Sequence, residues 1–200
     1  MAEVPWKADI CGVQYSRTLT DKHMKIFTVP TREEVTPANQ AIFDNLNKMV
    51  GFVPNLYAAF AHSENALGNY LALQNAKTSL RAKEREVINL VVSQVNDCLY
   101  CLSAHTAFAK MNGFTDAQIL EIRKAEITFD PKLSALANVV KSITENKGHA
   151  DAQLLLEFYA AGYNEGNLVD IVMVIGDKVI TNYLHALTDI PVDWPLAPAL

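Results

Sequence analysis

Three side chains able to attack or to move protons fall close together: Cys98, Cys101 and His105, in Asn96-Asp97-Cys98-Leu99-Tyr100-Cys101-Leu102-Ser103-Ala104-His105. On a helix turning about 100° per residue, positions 98, 101 and 105 lie within roughly a 60° arc, so two thiols and an imidazole share one stripe. Asn96 or Asp97 is a good helix cap, which places Cys98 at the first or second helical position. Free backbone N–H groups and the positive dipole end favour a thiolate there. A histidine one turn past Cys101 can take a thiol proton or hold it as an ion-pair partner. The anionic Asp97 acts in the opposite sense, so the thiol shift has no sign at this level. Paired thiols suit a two-step oxidation. One thiolate attacks a peroxide and becomes a sulfenic acid; the second thiol condenses with it to a disulfide. A spacing of three on a helix allows that bridge once the first turn adjusts.

Two rival readings stay open beside this one. C-x2-C-x3-H supplies three zinc ligands, but no second Cys pair offers a fourth, and three ligands on one helix suit a tetrahedral site poorly. The plainest alternative is two small core residues and a satisfied histidine. The redox reading leads.

The elements that must hold this stripe read as helices. Thr36 caps a helix with Pro37 at its first position, and Ile42, Phe43, Leu46, Met49 and Val50 recur at helical spacing until Gly51. Further segments start at Phe52-Val53-Pro54-Asn55, at Ser63-Glu64-Asn65 and near Ala82-Lys83-Glu84. The last of these is apolar on more than one face and reads as a buried central helix. Asn96-Asp97 interrupts it, and Cys98 to Met111 forms the next helix, ended by Asn112-Gly113. Thr115 and Asp130-Pro131 open two more, the second ending near Gly148; Asp151 to Ala161 and Asn167 to Leu187 complete the set. Hairpin signals are missing, so the fold class is all-α. Residues 1–35 read as an irregular N-terminal arm or extension, with room for a short strand, and 36–200 as one helical domain. The Pro-rich tail Ile190 to Pro195 reads as extended and apt to lie across a neighbour. Val87–His105 and Leu168–His185 echo each other weakly, as two core helices or, second to that, an old duplication would.

Composition narrows the setting. Seventeen basic and 22 acidic residues in a 200-residue chain give a net charge of −5, which argues against a nucleic-acid footprint or a polybasic membrane anchor. The most apolar run, Leu168 to Ile175, is cut short by Asp170 and Gly176-Asp177-Lys178, too short for a membrane span. No targeting signal is read at the start. Three cysteines, the third being Cys11 in the arm, make no secreted disulfide framework, and a reducing cytoplasm is the expected setting. Central helices this apolar predict homo-oligomers.

The stretch from Glu86 to His105 resembles the signature of alkyl hydroperoxidase D-like proteins in the carboxymuconolactone decarboxylase superfamily: glutamate, eleven residues, C-x-x-C, three residues, histidine. Glu86, Cys98, Cys101 and His105 match it position for position. The resemblance extends over roughly Met24 to Pro195, including Asn182-Tyr183 and Val192-Asp193-Trp194-Pro195 of the longer "peroxidase-related" branch. It implies an all-helical fold, homo-oligomers, and peroxide reduction by the CxxC pair with a glutamate–histidine proton relay and no metal, haem or other cofactor. It also implies Cys101 as the attacking thiol and Cys98 as the resolving one. A dithiol donor such as a lipoyl or thioredoxin-like protein would then reopen the disulfide. Alternatives are a carboxymuconolactone decarboxylase-type lyase, which needs no CxxC pair, and a zinc-bound or structural helical oligomer.

Glu86 needs a bend to take part. In one straight helix it would start about 18 Å from Cys98, so it joins the site only if the chain turns back at Asn96-Asp97. Read locally, it is a solvated first-turn residue like Glu84; the resemblance reverses that. Tyr100 stands where some relatives place a histidine, which removes a second imidazole from the relay. Ser93 and Asn96 read first as helix-face and cap residues. His185 reads as core or interface, His23, His62 and His149 as solvated loop residues, and Cys11 as a bystander. No phosphate loop, H-E-x-x-H or serine elbow occurs.

Overall fold

The computed structural model describes residues 27–200, and these contain nine α-helices and no strand. Readings that concern residues 1–26, Cys11 and His23 among them, lie outside the described residues. The described end of the arm is extended, with a single 3-10 turn at Arg32–Glu34. The helices are α1 (Pro37–Val50), α2 (Asn55–Phe60), α3 (Ala66–Gln74), α4 (Ala82–Val95), α5 (Leu99–Met111), α6 (Asp116–Lys124), α7 (Pro131–Glu145), α8 (Ala152–Ala160) and α9 (Glu165–Thr188). The caps lie where the sequence puts them. Thr36 accepts from Asn39 N, and Asp130 and Asp151 accept from the first-turn amides of α7 and α8.

Around α4 the other long helices assemble. Val87, Ile88, Leu90 and Val92 are fully buried, and α5, α6, α7 and α9 all pack against this helix. Three expectations change here. Glu84 is buried, not solvated: it takes the Arg81 backbone amide and guanidinium and the Tyr163 hydroxyl. The tail lies across its own chain. Asp193 accepts from Asn55 N at 2.6 Å and from Tyr100 Oη at 2.6 Å, Ser103 Oγ accepts from Ala197 N, and Ile190 is buried. The helical echo also dissolves, since residues 87–105 are two helices and a turn while 168–185 belong to one. Along α9, Val169, Val172, Met173, Ile180, Tyr183 and Leu187 face outward. No helix among the described residues is long and apolar enough to cross a membrane.

Candidate active site

Between α4 and α5 the chain reverses through Asn96-Asp97. Cys98 N donates to Ser93 O at 3.0 Å and Asp97 N to Gln94 O at 3.2 Å, with Asp97 left-handed at φ +50°. This six-to-one and five-to-two pattern closes a helix on a left-handed residue, and Asp tolerates that conformation better than most. Cys98 then becomes the cap of the next helix. Its Sγ accepts from Cys101 N at 3.3 Å, so it sits one position earlier than expected, before the first helical residue. One residue thereby ends α4 and begins α5.

That hairpin brings Glu86 to His105. Glu86 Oε2 lies 2.8 Å from His105 Nδ1, and Oε1 accepts from Asn89 Nδ2. All four motif residues are buried. Burial would raise the Glu86 carboxyl, but the His105 ring beside it and the charge of Lys178 outweigh that and hold it below the usual carboxylate range. Asn182 on α9 closes the far side. Its Oδ1 accepts from Asn96 Nδ2 at 2.9 Å, and its Nδ2 reaches Ser93 Oγ at 3.4 Å, which gives those two residues the supporting role.

The two sulfurs differ. Cys101 lines a cavity of about 390 Å³ with His105, Lys178, Tyr57, Tyr70 and Trp194, whereas Cys98 lies behind it, outside the lining. The neighbouring Cys98 side chain, as a hydrogen-bond partner, is the largest influence holding the Cys101 thiol below its ordinary value. Burial opposes it; the charge of Lys178 assists. The same hydrogen bond, with burial, pushes Cys98 upward. The two shifts run in opposite directions, down for the thiol facing the cavity and up for its neighbour. Both are free cysteines.

Sequence reasoning missed Lys178 and Asp177. Lys178 Nζ lies 3.0 Å from His105 Nε2, and Asp177 Oδ2 is 3.6 Å from the same ammonium. The signal was present as two charges in the middle of an apolar helix, where it served only to interrupt a hydrophobic run. With Glu86 and Lys178 on its two nitrogens, His105 has no free lone pair for a metal. Among the described residues no group of three or more His, Cys, Asp or Glu side chains is placed to hold one. Tyr100 is an anchor: its hydroxyl donates to Asp193 and accepts from Leu56 N. His185 meets Ile190 O, and His62, exposed as expected, also meets Thr28 O.

Residues 54–142 match the carboxymuconolactone decarboxylase family. No protein of curated function matches the chain by sequence. An uncharacterized peroxidase-related protein from Silicibacter sp. TM1040 superposes with a TM-score of 0.74 at 22% identity, over 86% of this chain and 94% of that one. An alkylhydroperoxidase AhpD core protein, also peroxidase-related and uncharacterized, from Ralstonia eutropha JMP134, gives 0.76 at 17% identity over 84% and 92%. The debrominase Bmp8, as a C82A variant with 2,3,4-tribromopyrrole, gives 0.71 at 15% identity over 86% and 94%. At these identities the likeness is one of fold.

Proposed function

The chain carries a carboxymuconolactone decarboxylase family domain at residues 54–142, with the all-helical alkylhydroperoxidase D-like fold, and from that premise we propose a thiol-dependent peroxidase. One observation carries the reading: Cys101 opens on an apolar cavity while Cys98 sits behind it at the cap of the same helix, in hydrogen-bonding contact. Cys101 attacks the peroxide and becomes a sulfenic acid, and Cys98 resolves it to a disulfide with loss of water. A dithiol such as a lipoyl or thioredoxin-like protein restores the pair. His105, fixed by Glu86, orders the polar side of the site. A lactone decarboxylase would leave both thiols idle.

The test is peroxide consumption with dihydrolipoamide as reductant, alongside a thiol count after one equivalent of peroxide. Two thiols should be lost in the wild type, and turnover should vanish in Cys101→Ser and in Cys98→Ser. Undiminished turnover in both variants would end the proposal. Tribromopyrrole in the same assay examines a second reading, reductive dehalogenation, which the aromatic lining and the dithiol also suit; bromide release without peroxide turnover would favour it.

A further inference from the structure

Lys178 is 2% exposed in the middle of α9 and lines the same cavity as Cys101. Charged and titratable groups surround it: Asp177 beside it on α9, Glu86 from α4, Cys101 and His105 from α5, and the buried phenol of Tyr57 on α2, with Tyr70 on α3 lining the same cavity. Burial alone would strip a lysine of its proton. Here the neighbouring negative groups, Asp177 first and then Cys101, reverse that and hold Lys178 above its ordinary value.

A charged Lys178 decides where the ring proton of His105 sits. An ammonium only donates, so at 3.0 Å Nε2 is the acceptor. Nδ1 then carries the hydrogen and donates to Glu86 at 2.8 Å. In that state the imidazole is neutral with both nitrogens occupied, and its lone pair is not available to the Cys101 thiol.

Building on the peroxidase reading, we propose that Lys178, held in place by His105 and Glu86, is the cation that pairs with the Cys101 thiolate and the acid that protonates the departing oxygen. In the resting pair the Cys101 proton resides on Lys178, as S⁻ and NH₃⁺. The thiolate sulfur attacks the terminal oxygen of ROOH, the O–O bond breaks, and Cys101 becomes S–OH. The RO⁻ released takes a proton from Lys178 and leaves as ROH, with Lys178 neutral. Cys98 S–H then attacks the sulfenic sulfur; the S–S bond forms and water departs with the Cys98 proton. Reduction by an external dithiol returns both thiols, and the Cys101 proton passes back to Lys178. The balance is ROOH plus two thiols giving ROH, a disulfide and water.

The assignment is tested on the thiolate itself, independently of turnover. Iodoacetamide alkylation of Cys101, followed by peptide mass spectrometry, is measured against pH in the full-length chain. In Lys178→Met the pH midpoint should rise by at least about one unit, slowing alkylation at pH 7 by about tenfold. Lys178→Arg, which the adjoining cavity has room for, should keep the wild-type midpoint yet lose peroxide turnover by about 100-fold, because a guanidinium holds its proton. His105→Gln should move the midpoint far less than Lys178→Met. An unmoved midpoint in Lys178→Met, or an equal movement in His105→Gln, would assign the thiolate to the imidazole and overturn the inference. Full turnover in Lys178→Arg would overturn the acid role. Because Lys178→Met strands Asp177 as a buried charge, Asp177→Asn/Lys178→Met is the second variant and must show the same midpoint shift. Should the wild type turn over no peroxide while the midpoint still follows Lys178, the peroxidase reading fails and the ion pair stands.

Discussion

Glu86 Oε2 and His105 Nδ1 lie 2.8 Å apart although 19 residues separate them in the chain, and the contact exists because Cys98 serves two helices. As the closing residue of α4 it donates its backbone N–H to Ser93 O, and as the cap of α5 its sulfur receives the Cys101 amide. The chemistry of the pair and the geometry of the hairpin are therefore not separable. A serine would satisfy the cap but not the redox step.

The turn makes the first prediction. Asp97 holds φ at +50°, a conformation that costs an ordinary L-residue about 1–2 kcal/mol and glycine almost nothing. Asp97→Gly should be neutral or stabilising by up to about 1 kcal/mol, and Asp97→Val destabilising by about 1–2 kcal/mol. Urea unfolding of the three proteins measures this. Equal midpoints for the glycine and valine variants would show that the turn is not what holds the hairpin.

Glu86 makes the second. Its carboxyl is held low in the folded chain, so the sign is that of a depressed acid. The stability it contributes is fully present above the unfolded value of about 4.3 and is lost as pH falls through the lower folded value. Glu86→Gln has no such term. The melting-temperature gap between wild type and variant should therefore be constant from pH 7 to about 5 and narrow as pH falls below about 4.5. Turnover in the variant should fall by about 10–100-fold, as expected when the group orienting a histidine is neutralised. A gap that widens toward acid pH would reverse the assignment.

Much of this arrangement was legible in the sequence, and what was hidden was long-range. Thr36-Pro37, Asp130-Pro131 and Asp151 write their helix starts in local hydrogen bonds, and local chemistry decides them. The spacing of Cys98, Cys101 and His105 is likewise local. Glu84 and Glu86 look alike in sequence and are both buried, because their partners, Tyr163 for one and His105 for the other, come from other helices. Lys178 is the plainest case. Nothing within its own helix but Asp177 tells that it will stand 3.0 Å from an imidazole 73 residues earlier. Trp194 and Asp193 reach the site only because the tail folds back over α2 and α5.

The tail supplies the third prediction. Tyr100 Oη donates to Asp193 and accepts from Leu56 N, joining α5, α2 and the C-terminal segment. Tyr100→Phe leaves Asp193 Oδ1 without its donor, although Oδ2 keeps Asn55 N, and leaves the buried Leu56 amide without its acceptor. A loss of about 1–3 kcal/mol follows in urea unfolding. The alkylation profile of Cys101 should stay unchanged, since Tyr100 contributes no proton to the thiols. A profile that moved with the phenol would return Tyr100 to the relay.

Cavity shape makes the last. Ala104 follows Cys101 by one turn of α5 and lines the same apolar space, together with Leu46, Leu71 and Trp194. A leucine at 104 projects three further carbons into the volume that a bulky organic peroxide would fill, and it leaves the charges around Cys101 untouched. KM for cumene hydroperoxide should rise by about tenfold in Ala104→Leu, the scale of one or two misplaced methylenes in an apolar pocket. Hydrogen peroxide, which needs almost none of that volume, should keep its kcat/KM within about twofold by the same reasoning. Steady-state kinetics with both oxidants give the comparison. Equal losses for the two would mean that the substitution disturbs Cys101 itself, and an unchanged KM for the bulky peroxide would mean that organic substrates reach the thiolate by another route.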